Sequence, residues 1–142
     1  MFVDASVMIA ILTGEEDGEA HAALLEDAPE RVTSVLATWE AAAGLFRKRK
    51  QSMGEAKAIV QAFIDVAGIE VLPIDTRDEA LALDIFETNG RHAVPENERN
   101  RALNMADCFH YAVAKRHDAV MLTKGRGFTF TDLRTAGVAA PE

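Results

Sequence analysis

Short apolar segments alternate with longer amphipathic segments along the chain, and this alternation limits the possible folds more than any other feature. The short segments are typical of buried β-strands, whereas the longer ones repeat apolar residues at helical spacing. Parallel strands need a long connection, usually a helix, and their sheet is then covered by helices on both faces. The sequence therefore predicts an α/β fold with three layers around a central parallel sheet.

The boundaries of these segments follow from capping and turn residues. We predict strands at 2–4, 31–33, 70–74, 119–123 and 137–139, and helices at 6–12, 19–26, 35–49, between Ser52 and Gly68, at 76–89 and at 103–117. Ser34 is a suitable N-cap for the third helix. Ser52 with Glu55, and Thr76 with Glu79, have the spacing of a capping box. In the third helix we expect the buried face to consist of Leu36, Trp39, Ala43 and Phe46.

The length and composition indicate one packed domain over residues 1–142. Hydrophobic residues make up 49% of the 142 residues, which is enough to form a core. The single cysteine, Cys108, excludes an internal disulfide and a cysteine-based zinc site, and it suits the reducing cytoplasm. The apolar run after Asp4 is too short to cross a bilayer, and no basic residue precedes it. We expect neither a membrane segment nor a signal peptide.

The charge of the chain is unusual for a nucleic-acid-binding protein. The formal net charge is −8, whereas such proteins usually carry an excess of Lys and Arg that neutralises phosphates. Two segments, 47–50 and 91–101, are locally basic. They are either solvated surface or sites of contact with an anionic polymer. Clustered acids can also serve as metal ligands, so the net charge alone does not exclude nucleic acid as a partner.

Three carboxylates stand in apolar surroundings. Asp4 follows the first predicted strand, at the end of the sheet where open α/β folds bind ligands. Glu40 lies in LATWEAAAGL and has Gly44, not a cation, at i+4. Asp107 lies in ALNMADCFHYAVA. Each has a simpler interpretation: Asp4 as an N-cap, and Glu40 and Asp107 as exposed helix positions.

A shared site would explain all three acids together. An isolated charge in a core costs several kcal/mol unless a cation compensates it. Mg²⁺ or Mn²⁺ prefers oxygen ligands and needs only two or three carboxylates. Because such an ion can hold phosphate oxygens during an in-line displacement, hydrolysis of phosphodiesters is the reaction that fits.

Several motifs, in order, resemble the PIN-domain ribonucleases, in particular the VapC-type toxins of toxin–antitoxin pairs. They are FVDAS, WEAA, LNMADCFHYAVAKRHDAVMLTKG and FTFTDL, and the resemblance extends from residue 2 to about residue 139. It implies a three-layer αβα PIN-like domain with the activity of an endoribonuclease. It also implies Mg²⁺ or Mn²⁺ as cofactor, a homodimer, and inhibition by a VapB-type antitoxin.

The resemblance also assigns individual residues. Asp4, Glu40 and Asp107 match the first three acidic metal ligands of the family. Asp132 matches the aspartate of the Thr-Asp pair that follows the fourth acid, and it could stand in for that acid directly or through water. The fourth acid of the family is absent, because Gly127 stands at its position.

Supporting positions match as well. Ser6 corresponds to the small hydroxyl residue that supports the first acid, and Asn104 to the asparagine that precedes the third. Arg126 could place a positive charge near the phosphate, or it could be an exposed loop residue. We expect His110 to be a surface or core residue of its helix and Cys108 to be a small buried hydrophobe.

Two other functions remain open on the sequence. The first is a catalytically weakened binding module that still binds an antitoxin, which the loss of an acid at Gly127 would produce. The second is a small phosphatase with Asp4 as nucleophile. Such enzymes often have a second aspartate two residues later, where this chain has Ser6.

Overall fold

Five parallel strands form one sheet in the computed structural model, which describes residues 1–139. The strand order is β3-β2-β1-β4-β5, with all neighbours parallel. The strands are β1 (Phe2–Val3), β2 (Val32–Ser34), β3 (Glu70–Leu72), β4 (Met121–Leu122) and β5 (Thr135–Ala136). The predicted α/β fold with a central parallel sheet is confirmed.

Helices connect the strands and cover the sheet. They are α1 (Ala5–Thr13), α2 (Gly18–Glu26), α3 (Val35–Lys48), α4 (Met53–Ala67), α5 (Thr76–Asn89) and α6 (Met105–Arg116). Two 3₁₀ segments, Glu96–Arg101 and Arg126–Phe130, lie before α6 and after β4. No helix of residues 1–139 has the length and apolar character needed to cross a membrane.

The central strands carry the hydrophobic core. Phe2 and Val3 in β1, and Met121 and Leu122 in β4, have no exposed surface. Strands of a parallel sheet are buried on both faces, which explains why these segments are apolar without alternation. Each such side chain contributes roughly 1.5–3 kcal/mol by burial.

Most helix starts agree with the predicted caps, and one is displaced by a residue. Ser34 caps α3, and Ser52 with Glu55 forms a capping box at α4. At α5 the prediction of Thr76 with Glu79 is wrong, because the box consists of Asp75 and Asp78. The extended residue at this start is Asp75, whose carboxylate accepts the Arg77 N–H, while Asp78 accepts the Asp75 N–H.

The predicted buried face of α3 is wrong for Trp39 and Phe46, which are exposed, whereas Ala43 is buried as predicted. Trp39 is 65% exposed, and the residues that pack into the core are mainly Ala37, Ala41 and Leu45. The helix approaches α1 so closely that a Cβ at Gly44 would lie 2.4 Å from Cδ1 of Ile9. Mostly small residues therefore face the core and allow close packing, while Trp39 and Phe46 point outward.

The last strand lies two residues earlier than predicted. It consists of Thr135–Ala136, not 137–139. Gly137 has a φ of 82°, a left-handed conformation outside the range of a β-strand. The chain therefore turns out of the sheet at this glycine.

The order of the strands creates a switch point next to β1. From β1 the chain builds β2 and β3 on one side, then crosses to β4 and β5 on the other side. Residues that follow β1 and β4 consequently lie beside each other at the carboxyl edge, where a crevice forms in folds of this kind. Asp4 and Thr123 occupy these two positions.

An ion pair joins α5 to α6. Asp78 has no exposed surface, and Arg116 donates to both of its oxygens, with Nε to Oδ1 at 2.8 Å and Nη2 to Oδ2 at 3.0 Å. Burial alone would raise the pKa of Asp78, but Arg116 and the Asp75 N–H hold this pKa below its ordinary value. The pair therefore stabilises the contact between the two helices in its charged form.

We expect Asp78→Asn to lower the free energy of unfolding at pH 7 by about 2–4 kcal/mol. A fully buried pair loses roughly 3–5 kcal/mol when one partner is removed, and Arg116 keeps some contact with water. Because the pKa of Asp78 is lower in the folded state, its contribution is complete above about pH 4 and disappears as the pH falls further. Urea denaturation from pH 7 to pH 3 measures this, with exposed Asp84→Asn on the same helix as control. Equal effects of the two substitutions would contradict the prediction.

Candidate metal centre

Asp4 is held at the carboxyl end of β1 by two hydroxyl groups. Its Oδ2 accepts hydrogen bonds of 2.7 Å from Ser6 Oγ and from Thr123 Oγ1. Although Asp4 occupies the N-cap position of α1, its side chain makes no capping hydrogen bond. The side chain is thus oriented by neutral donors from two adjacent segments, and Oδ1 is left free of them.

Glu40 on α3 and His110 on α6 meet beside Asp4. His110 has no exposed surface, and its Nε2 donates to Glu40 Oε1. The same Nε2 lies 3.9 Å from Asp4 Oδ1. One donor atom from each of these three residues lies within 4.8 Å of the others. The structure therefore places Asp4 and Glu40 around one imidazole nitrogen.

Asp107 begins α6 and lies next to this group. Its Oδ2 accepts the Asn104 N–H at 3.0 Å, and Asn104 Oδ1 accepts the Asp107 N–H at 2.9 Å, which completes a capping box. Burial, together with the charges of Asp4 and Glu40, raises the pKa of Asp107 to about 6 against the opposing effects of Asn104 and His110. The carboxyl group of Asp107 therefore interacts electrostatically with Asp4 and Glu40, and it also takes part in the capping box of its helix.

The electrostatic environment of His110 is set by the same acids. Burial alone would lower the pKa of His110, but the hydrogen bond to Glu40 and the charges of Asp4, Glu40 and Asp107 together raise it. We expected His110 to be a surface or core residue, and it is a core residue whose ring nitrogen faces the acids.

Strong cations do not neutralise the cluster. Within residues 1–139, no lysine or arginine forms an ion pair with Asp4, Glu40 or Asp107, and the pairs of Asp4 and Glu40 involve His110 alone. Lys124, which follows Thr123, turns instead to Glu15 and Asp17. An anionic group of oxygen donors without a fixed strong cation fits a divalent metal ion.

Asp132 lies outside this group. Its carboxylate accepts hydrogen bonds from Tyr111 Oη at 2.8 Å and from Lys115 Nζ. These partners, Lys115 first, hold the pKa of Asp132 below its ordinary value. The residue is already paired with a cation, in contrast to the three acids described above.

The position of the missing fourth acid is closed by backbone. A Cβ at Gly127 would lie 2.6 Å from the carbonyl oxygen of Arg101 and 2.8 Å from Cδ2 of Leu103. The 3₁₀ segment Arg126–Phe130 therefore packs directly on the segment before α6. Arg126 itself is exposed.

The fold and the cluster define a class of small α/β domains that carry clustered acids at the switch point of a parallel sheet. The family model of the PIN domain matches residues 1–132. The chain belongs to the PIN-domain family, and the resemblance found in the sequence is confirmed.

Relatives and solved structures agree with this assignment. A VapC ribonuclease of Rhizobium meliloti (strain 1021) is 35% identical, with 93% of this chain and 98% of the relative covered. Ribonuclease VapC42 of Mycobacterium tuberculosis is 29% identical, with 96% and 98% covered. The structure of VapBC-1 from nontypeable Haemophilus influenzae superposes with a TM-score of 0.71 at 16% identity, covering 95% of each chain. This last similarity supports the fold.

His110 is the residue of the cluster that the sequence analysis missed. It stands three positions after Asp107, and residues at i and i+3 of a helix lie on the same face. That spacing could have predicted that His110 lies on the same helix face as Asp107. The approach of Glu40 from another helix has no comparable signal in the local sequence.

We expect Gly127→Ala to lower the free energy of unfolding by about 1–3 kcal/mol, the usual range for overpacking. The added methyl group meets a backbone carbonyl that cannot move without displacing the segment around Arg101. Gly54→Ala is the matched control, because the nearest atom to its Cβ would be 3.8 Å away, in an exposed helix. Alanine should stabilise that helix by roughly 0.5–1 kcal/mol. Thermal or urea unfolding of both variants measures the contrast, and similar changes would show that the space at Gly127 is not closed.

Proposed function

We propose that this chain, acting as a single domain, is a toxin-type endoribonuclease that hydrolyses RNA phosphodiesters with a divalent metal ion. The observation that carries the proposal is the buried carboxylate of Asp4, which neutral hydroxyls orient toward Glu40 and His110. Membership of the PIN-domain family, whose relatives include ribonucleases, supports the same activity.

Asp4, Glu40 and Asp107 would hold the metal, which we propose to be Mg²⁺ or Mn²⁺. Each of the three offers a carboxylate oxygen, and none is paired with lysine or arginine in the described residues 1–139. When bound, the ion would activate water and offset the charge that develops on the phosphate. It would also reverse the local negative field, which an anionic substrate would otherwise avoid.

The other residues orient these ligands. Ser6 and Thr123 fix the rotamer of Asp4 and leave Oδ1 free. Asn104 fixes Asp107 through the capping box. Partners of this kind determine which oxygen faces a metal, and their loss usually lowers metal affinity or activity by about 10–100-fold. We assign a supporting catalytic role to Asp132, whose carboxylate is partly exposed and held by Tyr111 and Lys115.

A cytoplasmic RNA is the proposed substrate, and a VapB-type antitoxin is the proposed inhibitor. Exposed arginine at Arg126 and the basic segment 47–50 offer contacts to phosphates. Because no lysine or arginine among residues 1–139 pairs with the proposed metal ligands, the site is also suited to receive a positively charged side chain from an inhibitor, which would compete with the metal.

The exposed surface supports the homodimer that family resemblance implies. Val35, Trp39 and Met105 form an apolar patch and are 56%, 65% and 68% exposed. Ile74 and Phe109 line the same shallow depression. Large apolar side chains grouped on a surface mark an interaction site more often than a free surface. We propose that a second copy of the chain covers this patch.

We expect Asp4→Asn to reduce Mg²⁺- or Mn²⁺-dependent RNA cleavage by more than about a hundredfold. The amide oxygen can still accept from Ser6 or Thr123, so the fold should persist, whereas the charge that attracts the metal is lost. Loss of a metal ligand should reduce activity more than loss of a residue that hydrogen-bonds to a ligand, which usually costs about 10–100-fold. Cleavage of a labelled RNA, with calorimetric titration of Mn²⁺, gives the measurement.

Exposed Asp65→Asn on α4 serves as the control for Asp4→Asn and should cleave like the unaltered chain. Full activity of Asp4→Asn would exclude the assignment. An unaltered chain that binds the inhibitor but no cation would identify the chain as a binding module.

Trp39→Asp should convert the dimer to a monomer, because it places a charge at the centre of the apolar patch. Sedimentation equilibrium should then give about half the mass of the unaltered chain. Val66→Asp is the matched control, since Val66 is 90% exposed on α4 and should leave the mass unchanged. A Trp39→Asp variant that stays dimeric would show that the two copies meet elsewhere.

A further inference from the structure

We propose that His110 is a direct ligand of the metal ion through Nε2, and that this imidazole makes the site prefer Mn²⁺ over Mg²⁺. The inference rests on the proposed metal-dependent function and adds one residue to the ligands that the family resemblance assigns. The observation that carries it is the position of one buried imidazole nitrogen between Asp4 and Glu40.

The distance between His110 Nε2 and Asp4 Oδ1 suits a common ion. Bonds of about 2.1 Å from one ion to two ligands place those ligands roughly 3–4 Å apart. His110 Nε2 lies 3.9 Å from Asp4 Oδ1, and the donor atoms of Asp4, Glu40 and His110 lie within 4.8 Å of one another. Nε2 now donates to Glu40 Oε1. An ion entering between these atoms would replace that proton.

The ring of His110 is fixed in this orientation by its surroundings. It has no exposed surface, and the Phe2 ring packs against it with centroids 5.7 Å apart. Its other nitrogen, Nδ1, is buried without a hydrogen-bond partner among the described residues 1–139. The imidazole therefore makes its polar contacts with the acids through Nε2, while Nδ1 stays unpaired within that part of the chain, and an unpaired buried nitrogen is unfavourable for a histidine that serves packing alone.

The closed space at Gly127 gives this ligand a chemical role. A carboxylate cannot enter there without displacing Arg101 or Leu103. An imidazole adds a donor to the three carboxylates without adding negative charge, so their mutual repulsion does not increase. The site would then consist of three oxygen ligands and one nitrogen ligand.

A nitrogen ligand changes the preference among metals. Mg²⁺ selects oxygen donors and near-ideal octahedral geometry, whereas imidazole suits transition metals. Mn²⁺ accepts both donor types and is therefore the natural probe. Removing the imidazole should reduce Mn²⁺ affinity while leaving Mg²⁺ affinity almost unchanged.

The direct test is pulsed electron paramagnetic resonance of the unaltered chain loaded with Mn²⁺. We expect echo modulation from a directly coordinated ¹⁴N nucleus. The signal does not depend on catalysis, and it needs no variant that could fail to fold. Mn²⁺ bound without nitrogen coupling would overturn the proposal while leaving the carboxylate site and the ribonuclease proposal intact.

The second test compares metal affinities of His110→Gln by calorimetry. The amide can still donate to Glu40, but its nitrogen does not bind metals. We expect at least a tenfold loss of Mn²⁺ affinity, less than about a threefold change for Mg²⁺, and no nitrogen coupling. His92→Gln is the control, because His92 is an exposed histidine that contacts the Glu87 carbonyl.

Each further outcome is decisive. If the control loses the nitrogen signal, a surface histidine is the ligand and the proposal fails. If His110→Gln gains Mn²⁺ affinity, His110 competes with the metal as a cation, and the proposal also fails. An unaltered chain that shows nitrogen coupling but cleaves no RNA would support His110 as a ligand. That result would contradict only the ribonuclease assignment.

Discussion

The fixed orientation of the Asp4 carboxylate is the constraint on which the site depends. This group lies where β1 ends, and hydroxyls from α1 and from the end of β4 hold one of its oxygens. Both donors are neutral, so the negative charge is oriented but not cancelled. The parallel pairing of β1 with β4 is therefore part of the site, because it brings Thr123 to Asp4 from 119 positions away in the chain.

The sequence was sufficient for the fold and for the family resemblance, and insufficient where side-chain packing decides. Strands and caps are local, so β1, Ser34 and the Ser52 capping box could be predicted. The exposed position of Trp39 on α3 could not, because the packing of α3 depends on its distance to α1: Gly44 faces the core and Trp39 faces outward. Similarly, the acid missing at Gly127 was visible in the sequence, but the backbone that closes the space was not.

The candidate site residues also differ in how far the sequence could predict their positions. Asp4 and Glu40 lie around one nitrogen, whereas Asp132 has its own cation, Lys115. The pairing of Asp132 depends on a contact over 17 positions between α6 and the segment after β4. No local pattern indicates such a contact. The position of His110 on the same helix face as Asp107 could be predicted from their spacing. Its contact with Glu40 on α3 could not, because that contact depends on how the two helices pack.

Asp107 shows why the acids near such a cluster differ in what their substitution can reveal. One of its oxygens accepts the Asn104 N–H in the capping box of α6, so removal of the carboxylate changes both the start of a helix and the charge near the cluster. The hydroxyl partners of Asp4 can bond to an amide as well as to a carboxylate, and α1 does not use its side chain as a cap. A change of charge at Asp4 is therefore separable from a change of fold, which makes this residue, and not Asp107, the one whose charge reports on the chemistry of the site.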